Sequence, residues 1–162
     1  TATPAENQEK DYLKAVSLTT PWGTSPSFDL KHLMSVLRIT ITSDGTYTPS
    51  QLSNAIVSFV SSKYVSAVGN SSLTISDMNR TVNMTNKGNA NFSAIVAPQT
   101  ITKIIVTIDG KMYTLIKDIT LSEGNQSLLT FNIVRSSIND VTVSVTGWST
   151  TDLGSQDIHI ND

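Results

Sequence analysis

The chain has no cysteine among its 162 residues. That excludes a disulfide framework, thiol catalysis and any cysteine-based zinc site. It leaves the compartment open, because exported proteins also fold without disulfides. Charge is scarce too: Asp, Glu, Lys and Arg make up 15% of the sequence, with a formal net charge of -2. Such a chain has no field to hold nucleic acid or an anionic membrane. No Lys/Arg cluster supplies a local patch, so nucleic acid is set aside as a partner. No apolar run reaches the roughly eighteen residues that a membrane helix needs. Aromatic residues are only 6%, and there are two histidines. The opening "TATPAENQEKDYLK" lacks the charged-then-apolar layout of a signal peptide, and reads as a mature or trimmed start.

What is present is strand signal. Hydrophobic residues at 38% suffice for a core. From Phe28 to Trp148, short segments rich in Val, Ile, Thr and Ser are separated by Gly, Asn, Asp and Pro. The reading predicts strands near 28–42, 55–60, 63–68, 72–76, 81–85, 91–96, 102–108, 111–117, 127–134 and 139–146. Asp109-Gly110 in "IIVTIDGKMYTL" suits the two-residue loop of a type I′ turn, because both positions need positive φ. Leu129, Phe131 and Ile133 share one phase, and Val141, Val143 and Val145 another, which is the mark of a sheet buried on one face. Helix signal is confined to one short turn in "PSQLSNAI", with Pro49 in a first-turn position. The sum is an all-β chain: a single antiparallel β-sandwich over 27–149, after a polar, Pro-broken leader or linker (1–26) and before a polar tail (150–162).

One stretch breaks its own pattern. In "FDLKHLMSVLRITI", Phe28, Leu30, His32, Met34 and Val36 hold one phase. The phase then slips to Leu37, Ile39 and Ile41. A strand that changes its inward face carries a bulge or crosses between sheets. His32 on this apolar phase reads as a neutral histidine hydrogen-bonded inside or at the rim of the core.

Signals of chemistry are weak. There is no H-E-x-x-H, G-x-S-x-G, phosphate loop or G-x-G-x-x-G. His159 and the acids Asp152, Asp157 and Asp162 lie in a polar tail without EF-hand spacing. Asp77, Asp109, Asp118, Glu123 and Asp140 fall at turns or strand ends, where acids normally sit, so no catalytic pair is legible. Trp22 and Trp148 suit caps at the ends of a sandwich better than a sugar-stacking platform. Five Asn-x-Ser/Thr triplets, at Asn70, Asn79, Asn83, Asn91 and Asn125, arise easily in so Asn-, Ser- and Thr-rich a chain. The reading is a non-enzymatic protein without cofactor or metal.

The order of the segments "SFDLKHLMSVLRITI", "NFSAIVAPQTITKIIVTIDGKMYTL", "LSEGNQSLLTFNI" and "INDVTVSVTGWS" resembles the C-terminal domain of the fimbrillin-like (Mfa-like/FimA-like) proteins of Bacteroidales. Phe28, His32, Pro98, Gln99, Gly110, Gly124 and Trp148 match positions that recur in that family, and "KDYLKA" resembles the link before its domain. The resemblance covers about 10–150. Family members usually carry two sandwich domains, and the N-terminal one is absent here. The resemblance implies a Greek-key, transthyretin-like topology. It also implies an exported lipoprotein at the cell surface, in a fimbrium or on the outer membrane. There it would join other fimbrial subunits by donor-strand contacts, with 1–25 or the tail as donor. Phe28, His32, Pro98, Gln99, Gly110 and Trp148 are then structural residues, His32 fixing the first strand near the sheet crossing. A second reading is a standalone surface module binding a host glycan or protein. Exposed aromatics grouped on one face would mark it, whereas Tyr47, Tyr64 and Tyr113 are scattered along the chain.

Overall fold

The computed structural model describes residues 10–16, 29–69, 72–134, 138–147 and 151–159. The fold is all-β, as the alternation predicts, with twelve strands among the described residues where the sequence reading has ten: β1 (Leu13–Val16), β2 (Asp29–His32), β3 (Ser35–Ser43), β4 (Ile56–Val68), β5 (Leu73–Asn83), β6 (Thr85–Gly88), β7 (Asn91–Val96), β8 (Gln99–Ile108), β9 (Lys111–Leu121), β10 (Asn125–Ile133), β11 (Ile138–Gly147) and β12 (Thr151–His159). Among the described residues one short helix, α1 (Pro49–Ser53), precedes β4. Its start is a capping box. The Thr48 hydroxyl accepts from the Gln51 amide, and the Gln51 carboxamide accepts from the Thr48 amide, so two helix-end donors are satisfied reciprocally.

The strands form a six-stranded sheet in the order β12-β11-β10-β3-β7-β6, a four-stranded sheet β5-β4-β8-β9, and a two-stranded ribbon β1-β2. Every pairing is antiparallel except β3 with β10, which run parallel. The large sheets enclose one apolar core. Phe59 from β4, Phe92 from β7 and Phe131 from β10 are fully buried in it, with Leu37 and Ile39 of β3 and Ile104 of β8. At the β8–β9 turn Asp109 has φ 49° and Gly110 φ 76°, the two positive values a type I′ loop requires.

Several elements differ from the sequence reading. The expected strand 28–42 is two strands that belong to different sheets, broken at Leu33–Met34. This break is the sheet crossing that the phase slip allowed. Met34 is buried in a second, smaller core, Val36 is buried outside both, and Leu37, Ile39 and Ile41 enter the main core. The pairs 55–60 with 63–68, and 72–76 with 81–85, merge into single long strands bent by bulges near Ser62 and Ser66. Residues 13–16, inside the expected leader, form β1 on β2, and residues 151–159, inside the expected tail, form β12 on β11.

Candidate functional site

The strongest local architecture lies where the chain changes layers. After β2 the Leu33 amide donates to the Tyr12 carbonyl (2.8 Å), which ties the ribbon to the crossing. The β9–β10 turn docks on the other side: the Gly124 amide donates to the Met34 carbonyl (2.9 Å), and the Ser35 hydroxyl to the Ser122 carbonyl (2.5 Å). Gly124 has φ +70°, and a Cβ there would lie 3.2 Å from the His32 carbonyl oxygen. The close approach and the left-handed backbone both call for glycine.

His32 itself stands on the ribbon face. Its Nδ1 lies 2.7 Å from Asp11 Oδ2, and the two side chains are 30% and 27% exposed. It is a rim residue joining the segment before β1 to β2.

The second layer change is Ala97–Pro98, between β7 of one sheet and β8 of the other. Pro98 has no amide to leave unpaired at this corner. Gln99 follows, 7% exposed. Its Oε1 accepts from the amides of Ser62 (2.8 Å) and Lys63 (3.2 Å) and from the hydroxyls of Ser61 (3.1 Å) and Ser62 (3.3 Å). Its Nε2 donates to the Ala97 carbonyl (3.2 Å). The reason lies in the register. β4 pairs with β8 only over Ile56–Phe59, yet continues to Val68 on β5. Past Phe59 no residue of β8 pairs with β4, and at the bulge the Gln99 side chain accepts from the Ser62 and Lys63 amides in its place.

Beyond the bulge, β4 and β5 project as a two-stranded arm over a small second core of Met34, Val65 and Ala97, flanked by Tyr12, Leu73 and Ile95. Between arm, ribbon and β9–β10 turn lies a cavity of about 150 Å³. Leu33, Leu73 and Ile75 give it aliphatic walls, and Lys14, Ser72 and Glu123 give it polar ones.

The other feature is an edge. β9 ends the four-stranded sheet and has no strand on its far side among the described residues. Its outward side chains Met112 and Ile116 are 65% and 78% exposed. The end of the β8–β9 hairpin is fixed to the loop before α1. Tyr47 Oη and Tyr113 Oη lie 2.5 Å apart, their rings meet edge to face at 6.3 Å, and the Gln51 amide reaches the Asp109 carboxylate. The hydrogen bond with Tyr113 raises the Tyr47 phenol above its ordinary 10.0, and desolvation adds to it.

A fimbrillin-like family model matches residues 1–148. The chain belongs to the fimbrillin-like family. No curated protein matches. Among solved structures it is similar to a candidate cell adhesion protein of Bacteroides uniformis ATCC 8492. Identity there is 20% and the TM-score 0.63, over 91% of this chain and 69% of that one. It is also similar to candidate cell adhesion proteins of Bacteroides ovatus ATCC 8483 and Bacteroides fragilis NCTC 9343. For the first, identity is 17% and the TM-score 0.48, over 83% of this chain and 49% of that one. For the second (BF2867) the values are 14% and 0.42, over 78% and 48%. The first likeness speaks for the fold.

Within this fimbrillin-like fold, the residues singled out from sequence do not form one cluster. His32 and Gly124 meet at the ribbon crossing, Pro98 and Gln99 sit at the second layer change, and Gly110 is at the β8–β9 turn. Phe28, Trp22 and Trp148 lie outside the described residues, as does the His159 side chain on β12. Among the described residues, no three His, Asp or Glu side chains converge as a metal site would need. No helix among them is long and apolar enough to cross a membrane. Sequence reasoning missed the Ser61-Ser62-Lys63 bulge that Gln99 serves. Its signal was a polar triplet inside an otherwise apolar strand.

Proposed function

We propose that this chain is a non-enzymatic structural or adhesive subunit of bacterial surface fimbriae, joined to its neighbours by β-strand complementation. The observation that carries the reading is the match of a fimbrillin-like model to nearly the whole chain, on a scaffold whose polar clusters at Gly124 and Gln99 serve a crossing and a bulge. The physical basis is the edge of β9. Its outer backbone groups offer a ladder to an incoming strand, and alternate side chains of that strand would extend the core. The six-stranded sheet is two strands wider than the four-stranded one, so a strand added on β9 extends the narrower layer. Export to the cell surface, by way of a lipidated precursor, belongs to the same proposal.

The donor is a terminal segment of a neighbouring subunit. β12 is already paired with β11 in its own chain, so donation from the C-terminal side requires it to leave that ladder. A variant lacking 149–162 tests this, read by the yield of sheared surface filaments that contain the chain by mass spectrometry. Lost filaments with a folded, exported variant are expected. Unchanged filaments would remove β12 from the donor role.

A further inference from the structure

We propose that copies of this chain also associate head to tail through a single side chain, Ile116 of one copy seating in the cavity between ribbon, arm and β9–β10 turn of the next. The proposal rests on the reading of the chain as an assembling subunit, and it needs no exchanged strand.

The projecting partner is Ile116, the most exposed large apolar residue of the described chain at 78%. A bulge aims it. Opposite the register shift between Ile101 and Lys103, β9 carries two residues, Lys117 and Asp118, where β8 carries one. Bulges at sheet edges bend the strand and redirect side chains. This one sets a lone aliphatic group beside a cation and an anion.

The receiving partner is the cavity of about 150 Å³. A space of that size has room for a benzene-sized group, so one isoleucine side chain fits against its aliphatic wall, with Lys14, Ser72 and Glu123 as a polar rim. Leu33, Leu73 and Ile75 offer it aliphatic contact, and Ile75 is itself 38% exposed, so the space opens to solvent. Lys14 and Glu123 line the same cavity, and no ion pair within 4 Å joins them among the described residues. The charge pattern is complementary: Asp118 suits Lys14, and Lys117 suits Glu123. Opposed charges of this kind set register and orientation more than affinity.

The two features cannot meet within one chain. From Ile116 to Glu123 the strand advances about 3.3 Å per residue, roughly 20 Å in all. Knob and cavity are therefore different patches, and the contact is heterologous. Such contacts grow into rows of subunits, or into rings where the rotation between copies closes.

Sedimentation velocity over a concentration series tests this with four samples: the wild-type chain, Ile116→Asp, Ile75→Glu, and an equal mixture of the two variants. Ile116→Asp keeps an intact cavity and Ile75→Glu an intact knob. The expected result is growth in mass with concentration for the wild type, loss of that growth in each variant alone, and heterodimers that stop at two in the mixture. Circular dichroism checks folding. Should Ile75→Glu fail to fold, Glu123→Lys replaces it, because it inverts the rim and leaves the aliphatic wall. A wild type that stays monomeric to its highest soluble concentration, an Ile116→Asp variant that still associates, or a folded mixture that stays monomeric would each overturn the proposal. Filaments that contain the chain while the purified chain is monomeric would remove this contact and leave the fimbrial reading. Self-association without any such filaments would do the reverse.

Discussion

Gln99 is the residue on which the bent β4 strand depends most. Its carbonyl oxygen accepts from two backbone amides at the bulge, those of Ser62 and Lys63. Gln99→Met keeps the shape and removes the acceptor, leaving part-buried donors unmatched at about 1–3 kcal/mol each. Urea unfolding should show a loss of about 2–4 kcal/mol on that basis. A loss within about 0.5 kcal/mol, the range of an ordinary surface change, would show that water serves the bulge equally well. Two glycines with positive φ give a paired test. Gly110→Ala meets left-handed strain alone, whereas Gly124→Ala adds a Cβ 3.2 Å from the His32 carbonyl. The strain is about 1–2 kcal/mol, so Gly124→Ala should be the worse of the two in thermal unfolding; equal losses would put no close approach at the crossing. His32 is a milder case. Its ion-pair geometry with Asp11 is partly exposed, and such pairs contribute about 0–1 kcal/mol. His32→Gln should therefore lower stability by less than about 1 kcal/mol. A larger loss, or an activity that vanishes with it, would overturn its assignment as a rim residue.

Among elements, those with simple alternation were legible. The β8–β9 hairpin follows from Asp109-Gly110 and its flanking phases, and the phase slip after Val36 signalled that the chain changes sheets. β1 and β12 were not legible because their stability comes from pairing with β2 and β11, and a distant pairing partner leaves no mark on the local sequence. Serines 61 and 62 hid the continuity of β4 for a related reason: their partner, Gln99, lies 37 residues away from Ser62. The hairpin end is held by Tyr47 and Tyr113, and here pH gives a readout. The Tyr47 phenol is raised above 10.0, chiefly by the hydrogen bond with Tyr113, so the fold favours the neutral form. The raised value means the folded chain holds its proton longer than the unfolded one. The contribution is present in full below about pH 10 and is lost as pH rises through the raised value. Urea midpoints taken from neutral to strongly alkaline pH should fall less steeply for Tyr47→Phe than for the wild type. Parallel curves would show that the pair does not couple to folding.

At the scale of the whole molecule, the polar clusters around Ser35, Gln99 and Thr48 support the fold at a crossing, a bulge and a cap. The two most exposed of the large apolar residues described, Met112 and Ile116, stand on an edge strand. That division suits a protein whose work is contact between subunits. The all-β class and family were readable because strand order and turn residues run along the chain. The cavity and the bulged edge were not, because each is assembled from segments far apart in sequence. The most direct test of the fimbrial account is immunogold electron microscopy of producing cells with antibody raised against this chain. The account predicts label on filaments, along the shaft for a stalk subunit or at the ends for a tip subunit. Label spread over the cell surface with none on filaments would contradict it and favour a standalone surface-binding module.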